Sequence, residues 1–69
     1  MRKKEIGEHL RKRRKSLKVS LSEFELLVGI HRNTLYKIER GEGNPTMETL
    51  VTILNALGME LNVTIKSSI

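Results

Sequence analysis

Two short apolar patterns of helical spacing meet at Gly29 with almost no chain between them, and this junction constrains the fold more than any other feature of the 69 residues. Ser20 is a good N-cap for the first pattern, and Glu23, three residues on, completes a capping box. Phe24 and Val28 share one helical face at i, i+4, with Leu21 and Leu27 near it. Gly29 stands where the chain needs positive φ to leave a helix. The second pattern opens at once. Ile30 packs just before it, Leu35 and Ile38 mark its inner side, and it stops near Gly41. Its other side carries Arg32, Asn33, Tyr36 and Lys37.

Upstream, residues 3–17 read as a helix with Ile6, Leu10 and Leu17 on one stripe. The run Arg11-Lys12-Arg13-Arg14-Lys15 covers most of its circumference, which the long stems of Lys and Arg allow by snorkelling along a core edge. Downstream, Gly41-Glu42-Gly43-Asn44-Pro45 breaks both helix and strand. Thr46 can cap a fourth helix in which Met47, Leu50, Ile53, Leu54 and Leu57 recur with helical period until Gly58. The expected helices are therefore about 3–17, 20–28, 31–40 and 46–57. After Gly58 the period changes to two: Met59, Leu61, Val63 and Ile65 alternate with Glu60, Asn62, Thr64 and Lys66, the pattern of a half-buried strand. A lone strand leaves its backbone groups unpaired. The partner expected for 59–66 is the same strand of a second copy, antiparallel across a two-fold axis. The expected fold is thus mainly α: a four-helix domain over 1–58 and a C-terminal β-strand over 59–66 that pairs across a dimer.

Chain size and charge narrow the function. A chain this short buries only about 60% of its unfolded surface. With no Cys there is no disulfide or thiolate site, so helix packing or oligomerisation must supply stability. His9 and His31 are too few for a zinc site, and neither metal nor cofactor is expected. Without Cys, Asp or a nucleophile–base grouping, an enzyme is not expected either. Residues 1–41 hold twelve Lys/Arg against five Glu, a net of +7; residues 42–69 hold Lys66 against Glu42, Glu48 and Glu60, a net of −2. That asymmetry suits one face for a polyanion and another for something else, or else a solvated surface. No apolar run approaches the roughly 18 residues of a membrane span. Met1-Arg2-Lys3-Lys4 is not followed by the apolar stretch of a signal peptide, so the expected location is the cytoplasm and Asn62-Val63-Thr64 is a chance match to a glycosylation site.

From Ile6 to about Met59 the chain resembles the lambda-repressor-like (Xre, Cro-like) helix-turn-helix family. The resemblance is carried by Val19-Ser20, Phe24, Val28-Gly29-Ile30, Leu35, Ile38-Glu39-Arg40-Gly41, Asn44-Pro45-Thr46, Leu50, Ile53 and Ala56-Leu57-Gly58. The tail is similar to that of the HipB-type antitoxin subgroup, in which it builds a dimer sheet. The resemblance implies five packed helical segments, the fifth here replaced by the strand. It also implies a pairing of Arg14 with Glu39 near a DNA phosphate. The residues give an independent reason, since Glu39 lies beside inward-facing Ile38 and a half-buried carboxylate needs a partner; on that ground alone Arg13 and Arg11 are rivals to Arg14. Two positions depart from the family: Leu21 stands where Gln usually touches the DNA backbone, and Glu25 replaces a small residue at the tight approach of the second and third helices.

The resemblance implies that the third helix enters the major groove of duplex DNA. There Arg32 suits guanine O6 and N7, and Asn33 suits adenine N6 and N7. Thr34 could touch a thymine methyl or face the turn, Lys37 could reach a base or a phosphate, and Tyr36 lies on the same side, as a base contact or an ordinary solvated residue. Phosphate contacts are expected from Ser20, Arg14, Arg40, Asn44 and the amides around Gly41 and Gly43. His31 sits at a capping position, open to a surface or a pH-sensing role. The expected function is a homodimeric, sequence-specific transcriptional regulator, a repressor on an inverted repeat. The alternatives are an antitoxin that also holds a toxin through the acidic half, and a non-specific nucleic-acid binder.

Overall fold

The computed structural model describes residues 2–65. Four helices follow in order: α1 (Lys3–Ser16), α2 (Leu21–Val28), α3 (Arg32–Glu39) and α4 (Met47–Ala56). Their ends show why the chain breaks where it does. At α2, Ser20 Oγ accepts the Glu23 N–H at 3.1 Å and the Glu23 carboxylate accepts the Ser20 N–H at 3.0 Å. These bonds hold the Glu23 carboxyl below the ordinary range. Gly29 then turns the chain at φ 72°, donating its N–H to the Glu25 carbonyl. At α3, the cap is His31, whose Nδ1 accepts the Asn33 N–H at 3.1 Å. Thr46 Oγ1 does the same for Thr49 at α4. α1 ends at Leu17 and reverses through Lys18, which holds a left-handed φ of 58° without being glycine.

The core is small and contiguous. Leu10, Phe24, Leu35, Ile38, Ile53, Leu54 and Leu57 are buried, and Ile6, Val19, Leu21, Val28, Ile30, Leu50 and Met59 pack around them. Three apolar residues placed on inner faces by spacing alone stand outside it. Leu17 is the exposed cap of α1, and Leu27 and Met47 are exposed on α2 and α4. The buried face of α1 is instead Gly7, Leu10 and Arg14. A helix whose buried face includes a glycine and an arginine has no apolar stripe to read at those positions.

Gly7 is where α1 touches α3 through backbone. A Cβ built there would lie 2.5 Å from the carbonyl oxygens of both Ile38 and Glu39. One turn earlier, α1 meets the loop after α3: a Cβ on Gly41 would lie 2.6 Å from Lys4 Cα.

No strand occurs among the described residues. Met59 packs on the core and donates its N–H to the Leu54 carbonyl. Beyond it the alternation has little to bury against: Leu61 is half exposed, and Val63 and Ile65 are 93% and 99% exposed. Lys66, the end of the expected strand, lies outside the described residues, as does Met1 at the start of the expected domain.

Gly7→Ala tests the close approach. In an ordinary helix interior the change stabilises by about 1 kcal/mol. Here we expect a loss of about 1–3 kcal/mol from forced separation of α1 and α3, measured by urea unfolding. The α2 capping box carries a pH dependence of defined sign. A depressed folded-state pKa contributes stability above the ordinary glutamate range and loses it as pH falls through the lowered folded value. Hydrogen exchange at the Ser20 amide should therefore lose protection in acid, and Glu23→Gln should flatten that response.

Candidate nucleic-acid interface

The orientation of α3 is fixed from behind. Arg14 Nε and Nη2 donate to Glu39 Oε2 and Oε1 at 2.7 and 2.9 Å, a two-pronged pair in which both side chains are about 8% exposed. The third nitrogen, Nη1, donates to the Val19 carbonyl at 2.7 Å. One guanidinium thus joins the end of α1, the entry to α2 and the end of α3. The hydrogen bond to Glu39 pushes the Arg14 pKa above the ordinary arginine value, against the opposing effect of burial. Of the three arginines weighed as partners for Glu39, it is Arg14 that meets it, while Arg13 Nε donates to the Leu57 carbonyl at the end of α4, 2.9 Å away. Three of its five N–H groups are held by protein acceptors and its side chain is buried, so the first part Arg14 plays is in the frame.

With Leu35, Ile38 and Glu39 buried, α3 turns Arg32, Asn33, Thr34, Tyr36 and Lys37 to solvent. These five do not form one uniform edge. Thr34 and Lys37 line a shallow recess against Gly43, Asn44 and Pro45. Tyr36 lies on the other flank, in a recess shared with Lys4, Glu8 and Arg11 of α1. Its hydroxyl accepts from Arg40 Nη1 at 2.8 Å, and the Arg40 guanidinium carbon sits 5.3 Å from its ring centre. Arg32 is exposed but tethered. Its Nη1 donates to Ser22 Oγ at 2.9 Å and its Nε lies 3.3 Å from Glu25 Oε1. Glu25, the carboxylate at the tight approach of α2 and α3, has found its cation.

The loop after α3 is shaped by its own amides and by α1. The N–H of Gly41 donates to the Ile38 carbonyl and that of Glu42 to the Lys37 carbonyl. Gly41 is therefore a turn former, with φ 77°, and its amide is not available to a phosphate. That corrects its expected role, because closing a helix C-terminus uses the same N–H groups. Among the described residues the amides of Gly43 and Asn44 make no such closing bond. Lys3 Nζ donates to the Gly43 carbonyl at 2.7 Å and also to Asn44 Oδ1. With its oxygen held, the Asn44 side chain keeps its NH2 for an acceptor outside. Ser20 is exposed at the start of α2, its oxygen accepting from Glu23 and its own O–H free to donate. Leu21, next to it, turns inward onto the core.

Sequence spacing gave no notice of Lys3, Ser22, Arg13 or Gly7. Their roles depend on which carbonyl or side chain arrives from 10 to 44 residues away. A lone mid-helix glycine is the one visible signal, since glycine weakens a helix unless a close approach requires it. Among the described residues no cluster of three or more His, Asp or Glu could hold a metal, and no helix is long and apolar enough to cross a membrane.

The family model described as Helix-turn-helix, HTH_3, matches residues 10–63. The chain belongs to this helix-turn-helix family, of the Xre and lambda-repressor-like type. It is 36% identical over 50 residues to a protein of Haemophilus influenzae named as an HTH-type transcriptional regulator, covering 72% of this chain and 51% of the relative. It is also 36% identical over 55 residues to a Methanococcus maripaludis protein named as an HTH-type transcriptional regulatory protein, covering 80% of this chain and 17% of the relative. The chain thus spans about half the length of the first and a small part of the second.

Removing one partner of the buried pair should be costly. Arg14→Met or Glu39→Leu alone should destabilise by about 3–5 kcal/mol, because the surviving charge is buried without a partner. The double replacement should recover much of that loss in thermal or urea unfolding. A charge swap of the two should rescue less, because the Val19 carbonyl then loses its donor.

Proposed function

We propose that the chain is a sequence-specific DNA-binding transcriptional regulator that acts as a homodimer and represses by occupying a promoter. The observation that carries this reading is the division of α3: one side is buried against a rigid frame, and the other presents Arg32, Asn33, Thr34 and Lys37 to solvent. A helix held in this way can lie in a major groove and offer guanidinium and amide groups to base edges. Tyr36 flanks that edge. Ser20, Arg40, Asn44 and the Gly43 amide surround it with phosphate donors. The names of the relatives support the same class.

For the dimer, the support is apolar surface at the tail. A groove whose apolar lining is Ile6, Leu10, Leu50, Leu54, Met59 and Leu61 also takes in His9, Glu60 and Asn62, and Val63 and Ile65 further along the tail are exposed. A tail paired with its symmetry mate would cover these side chains and satisfy both backbones. Two copies would then address half-sites about 10 bp apart, or a multiple of that, on one face of the duplex. The exposed Met47 and Val51 beside Glu48 on α4 give the antitoxin reading its surface for a protein partner.

Selection of bound duplexes from a random pool is the direct test. One palindromic motif supports the proposal; a pool that stays random, with binding lost steeply in salt, identifies a non-specific binder. Arg32→Ala should cost about 1–3 kcal/mol on the selected site and relax preference at one base pair per half-site. Truncation after Glu60 keeps Met59 on the core, and should yield a folded monomer by sedimentation that binds the selected site more weakly.

A further inference from the structure

We infer that Glu25, helped by Ser22, is a positioning residue for base reading: it holds the Arg32 guanidinium in place and so sets a preference for guanine. The inference rests on the reading of Arg32 as a base contact. Glu25 leaves α2 at its approach to α3 and engages Arg32 twice through one oxygen. Oε1 accepts the backbone N–H of Arg32 at 3.3 Å and lies 3.3 Å from its Nε. The first contact fixes the carboxylate to the first turn of α3; the second fixes the guanidinium to the carboxylate. Ser22, one turn back along α2, takes one N–H of Nη1 at 2.9 Å.

The donors left over are those that guanine needs. Nε lies beside the Glu25 carboxylate and Nη1 donates to Ser22, while Nη2 makes no hydrogen bond among the described residues. Nη1 keeps a second N–H and Nη2 both of its own, and a guanidinium that offers two N–H groups side by side matches guanine O6 and N7. Thymine and adenine cannot accept both.

Stability does not explain the arrangement. The Arg32 side chain is 56% exposed, and an ion pair that open contributes little to folding. Its effect falls on the bound state. An unrestrained arginine must give up rotamer freedom when it docks, and can equally well swing to a phosphate. One held at two points has less freedom left to lose and is turned away from the backbone. The Glu25 carboxylate also repels phosphates, so duplexes that offer no guanine to release the cost of bringing it near are disfavoured. Glu25 thus acts on discrimination more than on affinity.

The test uses the purified full chain and a duplex pool with a randomised core, with binding to poly(dA-dT) at matched salt as the second readout. Wild type, Arg32→Ala, Glu25→Gln and the double variant are compared. Gln keeps an oxygen for the Arg32 amide while removing the charge. The inference expects Glu25→Gln to lose about tenfold of the guanine preference at the one position that Arg32→Ala erases, with other positions unchanged. It expects poly(dA-dT) binding, where no base offers the O6 and N7 pair, to stay level or rise, whereas a merely structural role would weaken both. It also expects Glu25→Gln to have no further effect in the Arg32→Ala background. If Arg32→Ala erases the preference and Glu25→Gln leaves it whole, the positioning role is overturned and the base contact stands. If Arg32→Ala itself changes no position, the underlying reading fails. Ser22→Ala, at an exposed site, gives an independent check should Glu25→Gln lose its helical circular dichroism; an unaltered guanine preference in Ser22→Ala would then overturn the inference.

Discussion

The buried pair of Arg14 and Glu39 is the contact on which the remaining geometry depends. A carboxylate at the last turn of α3, only 7% exposed, would be intolerable alone. Its partner comes from α1, and the same guanidinium also holds the Val19 carbonyl where the chain enters α2. Three elements thus share one ionic node, and no buried side-chain polar atom of the described residues lacks a partner. Such a node contributes little net stability compared with an apolar replacement. What it contributes is orientation, since hydrogen bonds through three nitrogens tolerate few relative placements of α1, α2 and α3. Gly7 works in the same direction, letting the backbones of α1 and α3 touch.

The same contacts change the meaning of the basic half of the chain. Seen as charge alone, its cations look like one diffuse field for a polyanion. In the structure several have particular work. Arg14 is internal, Arg13 closes the end of α4, Lys3 braces the loop after α3, and Arg32 leans on α2. Under the proposed reading, the cations left free for a polyanion include those of the outward side of α3 together with the exposed Lys4, Arg11, Lys12, Lys15 and Lys18. Lysine and arginine serve in both capacities because a long apolar stem carries several donors to wherever an oxygen is waiting.

How far the fold was legible in the sequence follows from the range of each signal. Caps and periods are local, so Ser20 with Glu23, Gly29, Thr46 and the Ile53–Leu54–Leu57 pattern could be read directly, and four helices of the expected order result. Burial is not local. Leu17, Leu27 and Met47 fit a helical stripe and are nevertheless exposed, because a domain this small has too little interior to cover both edges of every stripe. The interface divides likewise. That α3 has an outward polar side could be seen from Leu35 and Ile38; that Arg32 is tethered to α2 could not, since it depends on the angle between two helices, while the Tyr36–Arg40 pair and the closing bond of the Gly41 amide are local contacts at the end of α3 whose geometry the spacing alone left unread.

The ties made by α1 reach forward across the chain: Arg14 to Glu39 over 25 residues, Lys3 to Asn44 over 41, and Arg13 to Leu57 over 44. α2 and α3, by contrast, meet across a turn of three residues. Each long tie closes a loop whose entropy is lost before the contact forms, while the α2–α3 corner closes almost none. The α2–α3 corner can therefore form from local chain alone, whereas the placing of α1 waits on distant residues. α1 gains its first anchor with Glu39 and its last with Leu57, so the ionic node that orients α3 is in place only when chain from both ends of this span has come together.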